Sequence, residues 1–251
     1  MSEKCYKSLD LFYKENFGEK VFKVSLDAGF SCPNKDGLKG RGGCIFCNGS
    51  VAIGDKREDL IAQFESVKEV LHKKWPKAKY IAFLEANTNT YADVDTLKKI
   101  YEPLIRLDGV VGLSIATRCD AISEEVYDYL EDLNKRTFLS IELGLQSAHD
   151  ATLKYLNRGH TVSEFTECVK ELRGRGIDVV VHIINGLAVH AAEGYFRHTS
   201  FLHVVTDNEP DGGQGVAEGQ RGRGVVVARH LPGSGHEQVF LVLYLFGNSI
   251  G

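Results

Sequence analysis

The sequence has no excess of basic residues. Its 30 lysines and arginines are outnumbered by 34 aspartates and glutamates, giving a formal net charge of −4. A chain of that balance has no surface-wide field to hold DNA, and a local patch is the most that an RNA could meet. Six cysteines in 251 residues are too few for a disulfide scaffold. The longest apolar run, residues 239–246, is far short of the roughly 20 residues that cross a bilayer as a helix. The opening residues are charged and lack an apolar core, so no signal peptide is expected. No internal repeat is visible. These absences point away from membrane and DNA partners and toward a cytoplasmic protein. With 43% hydrophobic and 25% charged residues, the composition is that of an ordinary globular chain, long enough for one α/β barrel-type domain or two small ones.

What is present divides unevenly. All 18 lysines lie at or before Lys170, while 12 of the 26 glycines and five of the nine histidines fall from Gly186 onward. Residues 211–224 are glycine-rich without a core-forming pattern and are expected to be a flexible loop. The chain is therefore read as a core over residues 1–187 and an atypical tail over 188–251.

Within the core, apolar periodicity predicts strands near 20–26, 80–84, 110–115, 137–142 and 177–184. Helices are predicted near 9–17, 58–74, 93–106, 123–133, 148–156 and 162–173. The fifth strand is a continuous β-branched run of the kind buried in parallel sheets. Alternation of strand and helix implies right-handed βαβ units and a parallel sheet.

Cys32, Cys44 and Cys47 are gathered in sixteen residues with C-x11-C-x2-C spacing, and four glycines and a proline lie between the outer two. Thiolates are soft ligands for zinc or iron–sulfur, and glycines let a backbone wrap closely around a metal centre. A closed zinc site wants four protein ligands, and no fourth cysteine or histidine is near. Ligand count alone leaves three readings open: an iron–sulfur cluster with one iron not held by cysteine, a zinc site borrowing Cys5 or a remote histidine, and unrelated thiols. Cys5, Cys119 and Cys168 are scattered and read as ordinary thiols. The loop follows the first strand, where parallel barrels place their chemistry.

The stretches Ser25-Leu-Asp-Ala-Gly-Phe-Ser-Cys-Pro-Asn-Lys-Asp-Gly and Gly40-Arg-Gly-Gly-Cys-Ile-Phe-Cys-Asn48 carry a resemblance. Thr88-Asn-Thr-Tyr-Ala92, Ala116-Thr-Arg118, Glu142-Leu-Gly-Leu-Gln-Ser147 and Asn157-Arg-Gly-His160 follow in order. Together they resemble the radical S-adenosylmethionine (radical SAM) superfamily, within it a bacterial group related to the radical domain of the elongator catalytic subunit. The resemblance implies a partial (β/α) TIM-like barrel, here ending after the fifth strand. It implies a [4Fe-4S] cluster on Cys32, Cys44 and Cys47, with S-adenosylmethionine chelating the fourth iron. The implied activity is reductive cleavage of S-adenosylmethionine to a 5′-deoxyadenosyl radical, with an electron donor such as flavodoxin or ferredoxin as partner. The implied substrate is tRNA, at the side chain of a wobble uridine. A small metabolite or a peptide is the alternative substrate, and a metal-binding interaction module is the non-enzymatic alternative.

By the same resemblance, Glu142 and Gln146, at the end of strand four, would hold the cofactor, with a polar strand terminus that satisfies the backbone as the alternative. Arg118 would pair with its carboxylate or a substrate anion, with a salt bridge to Asp120 as the alternative, and Arg158 would contact cofactor or phosphate. No residue is assigned a catalytic role. Glu85 stands where relatives carry a glycine-containing motif that is absent here. His182 is read as a core histidine rather than a ligand, and the lysine-rich run from Lys68 to Lys79 as a solvated face. The resemblance stops near Leu187, where relatives continue with Pro-Gly-Glu, a helix and a sixth strand. Composition changes at the same point, so a shifted reading frame near residue 188 is preferred over a genuine divergent ending.

Overall fold

The computed structural model of the protein describes residues 9–47, 59–85, 87–185, 225–229 and 239–245. Helix and strand alternate from the start: α1 (Leu9–Phe17), β1 (Val21–Leu26), α2 (Leu60–Lys74), β2 (Lys79–Leu84), α3 (Val94–Leu104) and β3 (Val110–Thr117). They continue as α4 (Glu124–Asn134), β4 (Phe138–Gln146), α5 (Asp150–Tyr155), α6 (Val162–Gly174) and β5 (Asp178–Asn185). Strands β1 to β5 lie side by side in sequence order and all pair in parallel. The α/β class and the five-strand parallel unit are those expected.

Helices α2, α3 and α6 start where a side chain takes up unpaired backbone N–H groups. Asp59 caps α2 through Ala62 N at 2.7 Å, and Asp93 caps α3 through Thr96 N at 2.9 Å. A reciprocal capping box of Thr161 and Glu164 opens α6. Helical spacing then turns one apolar stripe inward: Leu97, Tyr101 and Leu104 on α3, and Val126, Leu130 and Leu133 on α4, are all buried.

The two faces of the sheet differ. Side chains alternate along a strand, and Val24, Ala82, Leu84, Leu113, Ile141, Val179 and Val181 meet the helices in the main core. The other face carries Lys23, Phe83, Ser114, Ser140, Glu142 and His182, so it is polar along much of its length. Its amino-terminal end is closed by α1, whose Phe12 and Tyr13 pack with Val21, Ile81, Val180 and Phe138.

Two further strands extend the sheet, β6 (Val225–Arg229) and β7 (Val239–Leu245). Strand β7 pairs in parallel with β5, from Val179↔Val239 to Asn185↔Leu245, and β6 runs antiparallel to β7. The expectation that the sheet stops at its fifth strand is thus not what the structure shows. Both segments are short runs rich in β-branched and other apolar residues, which suit a pleated surface despite the glycine-rich sequence around them. The loop expected over 211–224 lies outside the described residues, as does Cys5.

Phe64 tests how much the outer core matters. It is fully buried on α2 and meets Tyr80 of β2 edge-on, with ring centroids 5.8 Å apart. Phe64→Ala is expected to lower unfolding free energy by about 3–5 kcal/mol in urea titrations, whereas Lys73→Ala on the same helix should stay within about 0.5 kcal/mol.

Candidate functional site

The cysteine loop begins as β1 ends and is held by its own turns. Asp27 N donates to Gln63 Oε1 at 2.9 Å, and Gly29 N to Asp27 Oδ1 at 2.9 Å. The Cys32 carbonyl accepts from Lys35 N at 2.8 Å, Gly43 N donates to Asn34 O at 2.9 Å, and Cys47 N donates to Cys44 O at 2.9 Å. A Cβ at Gly40 would fall 2.2 Å from Asn34 Oδ1, so the turn needs glycine there.

The loop then docks on the residues following α5. Ile45 N donates to Leu156 O at 3.1 Å, Asn157 Nδ2 to Gly43 O at 2.8 Å, and Asn34 Nδ2 to Asn157 O at 2.5 Å. Cys32 and Cys44 are buried by this packing, Cys47 is exposed, and none of the three is in a disulfide. Burial pushes the Cys168 thiol up to about 12 and the Cys119 thiol higher still, which keeps both protonated.

The three cysteines border a cavity of about 240 Å³ at the carboxyl ends of the strands. Glu142, Gln146, Arg118 and Arg158 line the same cavity. Residues spread over more than 120 positions of sequence are thus brought to one place. His182 is there too, and so are Phe83, Lys35 and Asn87.

Arg118 is buried and pairs bidentately with Asp120, at 2.8 Å and 2.9 Å. The expected alternative to an anion site is therefore realised through two of its nitrogens. Its Nη2 also donates to the Arg158 carbonyl at 2.7 Å, while Nη1 has no partner among the described residues. Burial raises the Asp120 carboxyl, but Arg118 and Lys39 outweigh it and hold it below the usual range. Arg158 donates to the Gly144 carbonyl at 2.5 Å and to Cys44 Sγ at 3.6 Å, and its Nε has no partner among the described residues. Asn34 Nδ2 is a second donor to Cys44 Sγ, at 3.6 Å.

The end of β4 is irregular. Pairing with β5 shifts register between Gly144 and Gln146, and Gln146 has φ of 73°. A Cβ at Gly144 would lie 2.4 Å from Gln146 Nε2 and 2.8 Å from Arg158 Nη2. Asn87, with φ of 63°, accepts from Lys35 Nζ at 2.7 Å. Two left-handed non-glycine residues lining one cavity are a mark of local strain at a working site.

Glu142 is not at the strand end as expected. Strand β4 runs on to Gln146, which leaves Glu142 in its middle, four residues deeper on the same face. Its Oε1 accepts from Lys23 Nζ and from Ser114 Oγ, and its Oε2 pairs with His182 Nε2 at 2.8 Å. Burial alone would raise this carboxyl, but Lys23 and His182 hold it well below the usual range. His182 has its hydrogen-bond partner in Glu142, and it also lines the cavity. Lys23 had no signal as an isolated residue; its signal is the alternation of polar residues along buried parallel strands.

The donor set fits an iron–sulfur cluster. Three thiols around one cavity suit a cluster, which spreads its thiolates over several irons. Cys44 Sγ already receives two N–H donors, and two buried guanidinium N–H groups beside it retain capacity for acceptor atoms of a bound molecule.

His160 gives the site's neighbourhood a pH dependence. Burial, then Arg158, lowers its pKa from 6.5 to about 4. Above pH 6.5 the ring is neutral both folded and unfolded. As pH falls toward 4 only the unfolded chain takes up the proton, so stability declines across that window by about 3 kcal/mol. Urea titrations of the full chain at pH 7 and pH 4.5 should show this loss, and it should shrink in His160→Gln.

Comparison with known proteins agrees with the geometry. The model of the Radical SAM superfamily matches residues 39–193, a span that contains Cys44, Cys47 and all four other expected site residues. The protein YtqA of Bacillus subtilis (strain 168) is 48% identical over 189 residues, covering 74% of this chain and 59% of that one. A probable threonylcarbamoyladenosine tRNA methylthiotransferase of Methanocaldococcus jannaschii is 28% identical over 192 residues, 72% of this chain and 42% of that one. The solved archaeal Methanocaldococcus infernus Elp3 has a TM-score of 0.45 and 18% identity, covering 66% of this chain and 38% of that one. The chain spans about three fifths of the length of the first curated relatives it matches. On the family match and the 48% identity, the chain belongs to the radical SAM superfamily.

Proposed function

We propose that this chain is a radical SAM enzyme that holds a [4Fe-4S] cluster on Cys32, Cys44 and Cys47 and modifies tRNA. The observation that carries the reading is the convergence of the three thiols with Gln146, Arg118 and Arg158 around one cavity. When bound, the cluster and S-adenosylmethionine supply one-electron reductive chemistry, which no side chain can supply.

The chain's own residues have distinct tasks in this reading. Arg158 and Asn34 stabilise the Cys44 thiolate by donating to its sulfur. The remaining N–H groups of Arg118 and Arg158 suit a carboxylate, and Gln146 offers both a donor and an acceptor at the cavity wall. Asp120 fixes Arg118 in place. Phe46, half-buried between two of the cysteines, shields the cavity from solvent. Exposed Cys47 marks the side from which an electron donor of the flavodoxin or ferredoxin class reaches the site.

The tRNA substrate, and the wobble uridine in particular, rests on the group resemblance and on the similarity to the probable tRNA methylthiotransferase of Methanocaldococcus jannaschii. The lysine run after Lys68 adds no support, since Lys68 pairs with Glu65 and Asp108, and Lys73 with Glu69.

Anaerobic reconstitution of the full chain with iron and sulfide is the test. The protein is expected to absorb in the visible and, when reduced, to release 5′-deoxyadenosine from S-adenosylmethionine. Cys44→Ala should lose the iron and Cys168→Ala should keep it; a full iron complement in Cys44→Ala would overturn the assignment. Arg158→Gln should keep iron but shift the midpoint potential more negative. A hydrogen bond to a charged group is worth about 1.5 kcal/mol, which sets the shift on the order of 60 mV for a one-electron couple. Potentiometric titration followed by visible absorption reads it.

A further inference from the structure

Six large apolar side chains are exposed among the described residues, and half of them lie on one part of the surface. Leu38 (69% exposed) and Ile45 (61%) belong to the cysteine loop, and Tyr155 (56%) ends α5, against which that loop docks. The other three, Leu11, Ile61 and Val70, are spread over α1 and α2. Loop and helix end are joined by hydrogen bonds. Ile45 N donates to Leu156 O at 3.1 Å, and Asn157 Nδ2 donates to the carbonyls of Gly43 at 2.8 Å and Arg41 at 3.3 Å. Leu38 stands in a small hairpin closed by the Asp36↔Arg41 bridge. Cys47, two residues past Ile45, is exposed as well.

Charge on this surface is mostly of one sign. The loop carries Lys35, Lys39 and Arg41 against Asp36 alone, and Lys154 adds a fourth cation, in a chain whose net charge is −4. Lys35 and Lys39 are engaged by the protein, at Asn87 Oδ1 (2.7 Å) and Asp120 Oδ2 (3.1 Å). Arg41 and Lys154 are exposed, and neither has an ion-pair partner among the described residues. Asp36 is occupied within the hairpin, accepting from Leu38 N at 3.1 Å, and Asp150, at the far end of α5, accepts from Val162 N at 2.8 Å.

Exposed apolar side chains rimmed by unpaired charge have the anatomy of a contact surface. A phosphate backbone would meet the two free cations but leave Leu38 and Ile45 in water, so a protein fits this face better than an RNA. A second copy of this chain, related by a two-fold axis, would bring the same cations face to face. The complementary partner is a protein with acidic residues around an apolar patch of its own. We propose that this face docks a small acidic electron-carrier protein and sets its redox centre against exposed Cys47. The inference rests on the radical SAM reading and deepens it, because a carrier is needed only where the thiols hold a cluster. One electron crosses: the carrier is oxidised by one and the cluster reduced by one, and no bond forms or breaks. The contact is of the small, transient class, in which charges at the rim govern the rate of association.

The test uses the full chain, reconstituted anaerobically, with two acidic carriers as probes, oxidised flavodoxin and oxidised ferredoxin. Calorimetry at low and high salt reads binding. At least one carrier is expected to bind the wild-type chain. Arg41→Glu with Lys154→Glu should weaken that carrier at least about tenfold and flatten the salt dependence. Leu38→Ser with Ile45→Ser should weaken it about tenfold with the salt dependence kept. Val70→Ser, at a side chain 68% exposed on α2, should leave binding as it was. Iron content, urea midpoint and release of 5′-deoxyadenosine with dithionite as reductant should hold in every variant, while carrier-driven release falls in step with binding.

Unchanged carrier binding in both double variants would overturn the inference. So would a loss confined to a tRNA anticodon stem-loop titrated in parallel, which would make the face an RNA contact. A loss confined to self-association in sedimentation would overturn it too, as an interface between copies. A wild-type chain that releases 5′-deoxyadenosine with dithionite yet binds neither carrier would overturn the docking surface alone. A wild-type chain that takes up no cluster would overturn the functional reading, and this assignment with it.

Discussion

Between Cys32 and Cys44 the chain has neither helix nor strand to satisfy its backbone, and four of the residues between them are glycines. Ordering such a segment is entropically unfavourable. What opposes that is a small set of hydrogen bonds, several of them to one other place, the turn after α5, with Lys35 reaching Asn87 and Lys39 reaching Asp120 besides. Asn157 bonds the loop at Gly43, Asn34 bonds back to Asn157, and Ile45 bonds to Leu156. The positions of all three thiols depend on this contact, and so does Arg158, the next residue, whose guanidinium reaches Cys44. The metal loop and the Asn-Arg-Gly-His segment are in this sense one unit, although more than a hundred residues separate them in sequence.

The second constraint is the sheet's unequal faces. An outer face of valine, leucine and isoleucine lets the helices pack, and this supplies the stability. The inner face is free to carry charge because α1 seals it at one end and its ions are paired across strands. The carboxylate of Glu142 tolerates burial because Lys23 and His182 offset the desolvation, and removal of either partner would leave an uncompensated charge. Below the usual carboxylate range this pairing is lost as the carboxyl takes up a proton, so acid should loosen this polar layer before the apolar outer core. The same layer that stabilises the interior is thus the layer that gives the cavity its polarity.

Much of this was legible in the chain itself. The β-branched runs and helical stripes of residues 9–185 located every described element there to within a few residues, because each buries one clear face. The three cysteines stood out through spacing and glycine content. Glu142 was misplaced because strand β4 ends in a bulge: Gly144 and left-handed Gln146 look like a strand terminus in sequence, yet the strand continues to them. His182 and Lys23 were hidden by the apolar residues around them, and only the period-two appearance of Lys, Ser, Glu and His along adjacent parallel strands betrays an inner polar face. Strands β6 and β7 were hidden by the glycine-rich sequence on either side of two short apolar runs.

The central claim is that the cysteine loop is held in place by the polypeptide and not gathered by its metal. Amide hydrogen exchange on the cluster-free chain, kept anaerobic and reduced, tests it directly at Gly43 and Ile45. Both N–H groups donate to backbone carbonyls in the structure, and both should exchange at least about 100-fold more slowly than an unstructured peptide. Exchange at the unprotected rate until iron and sulfide are added would contradict the account.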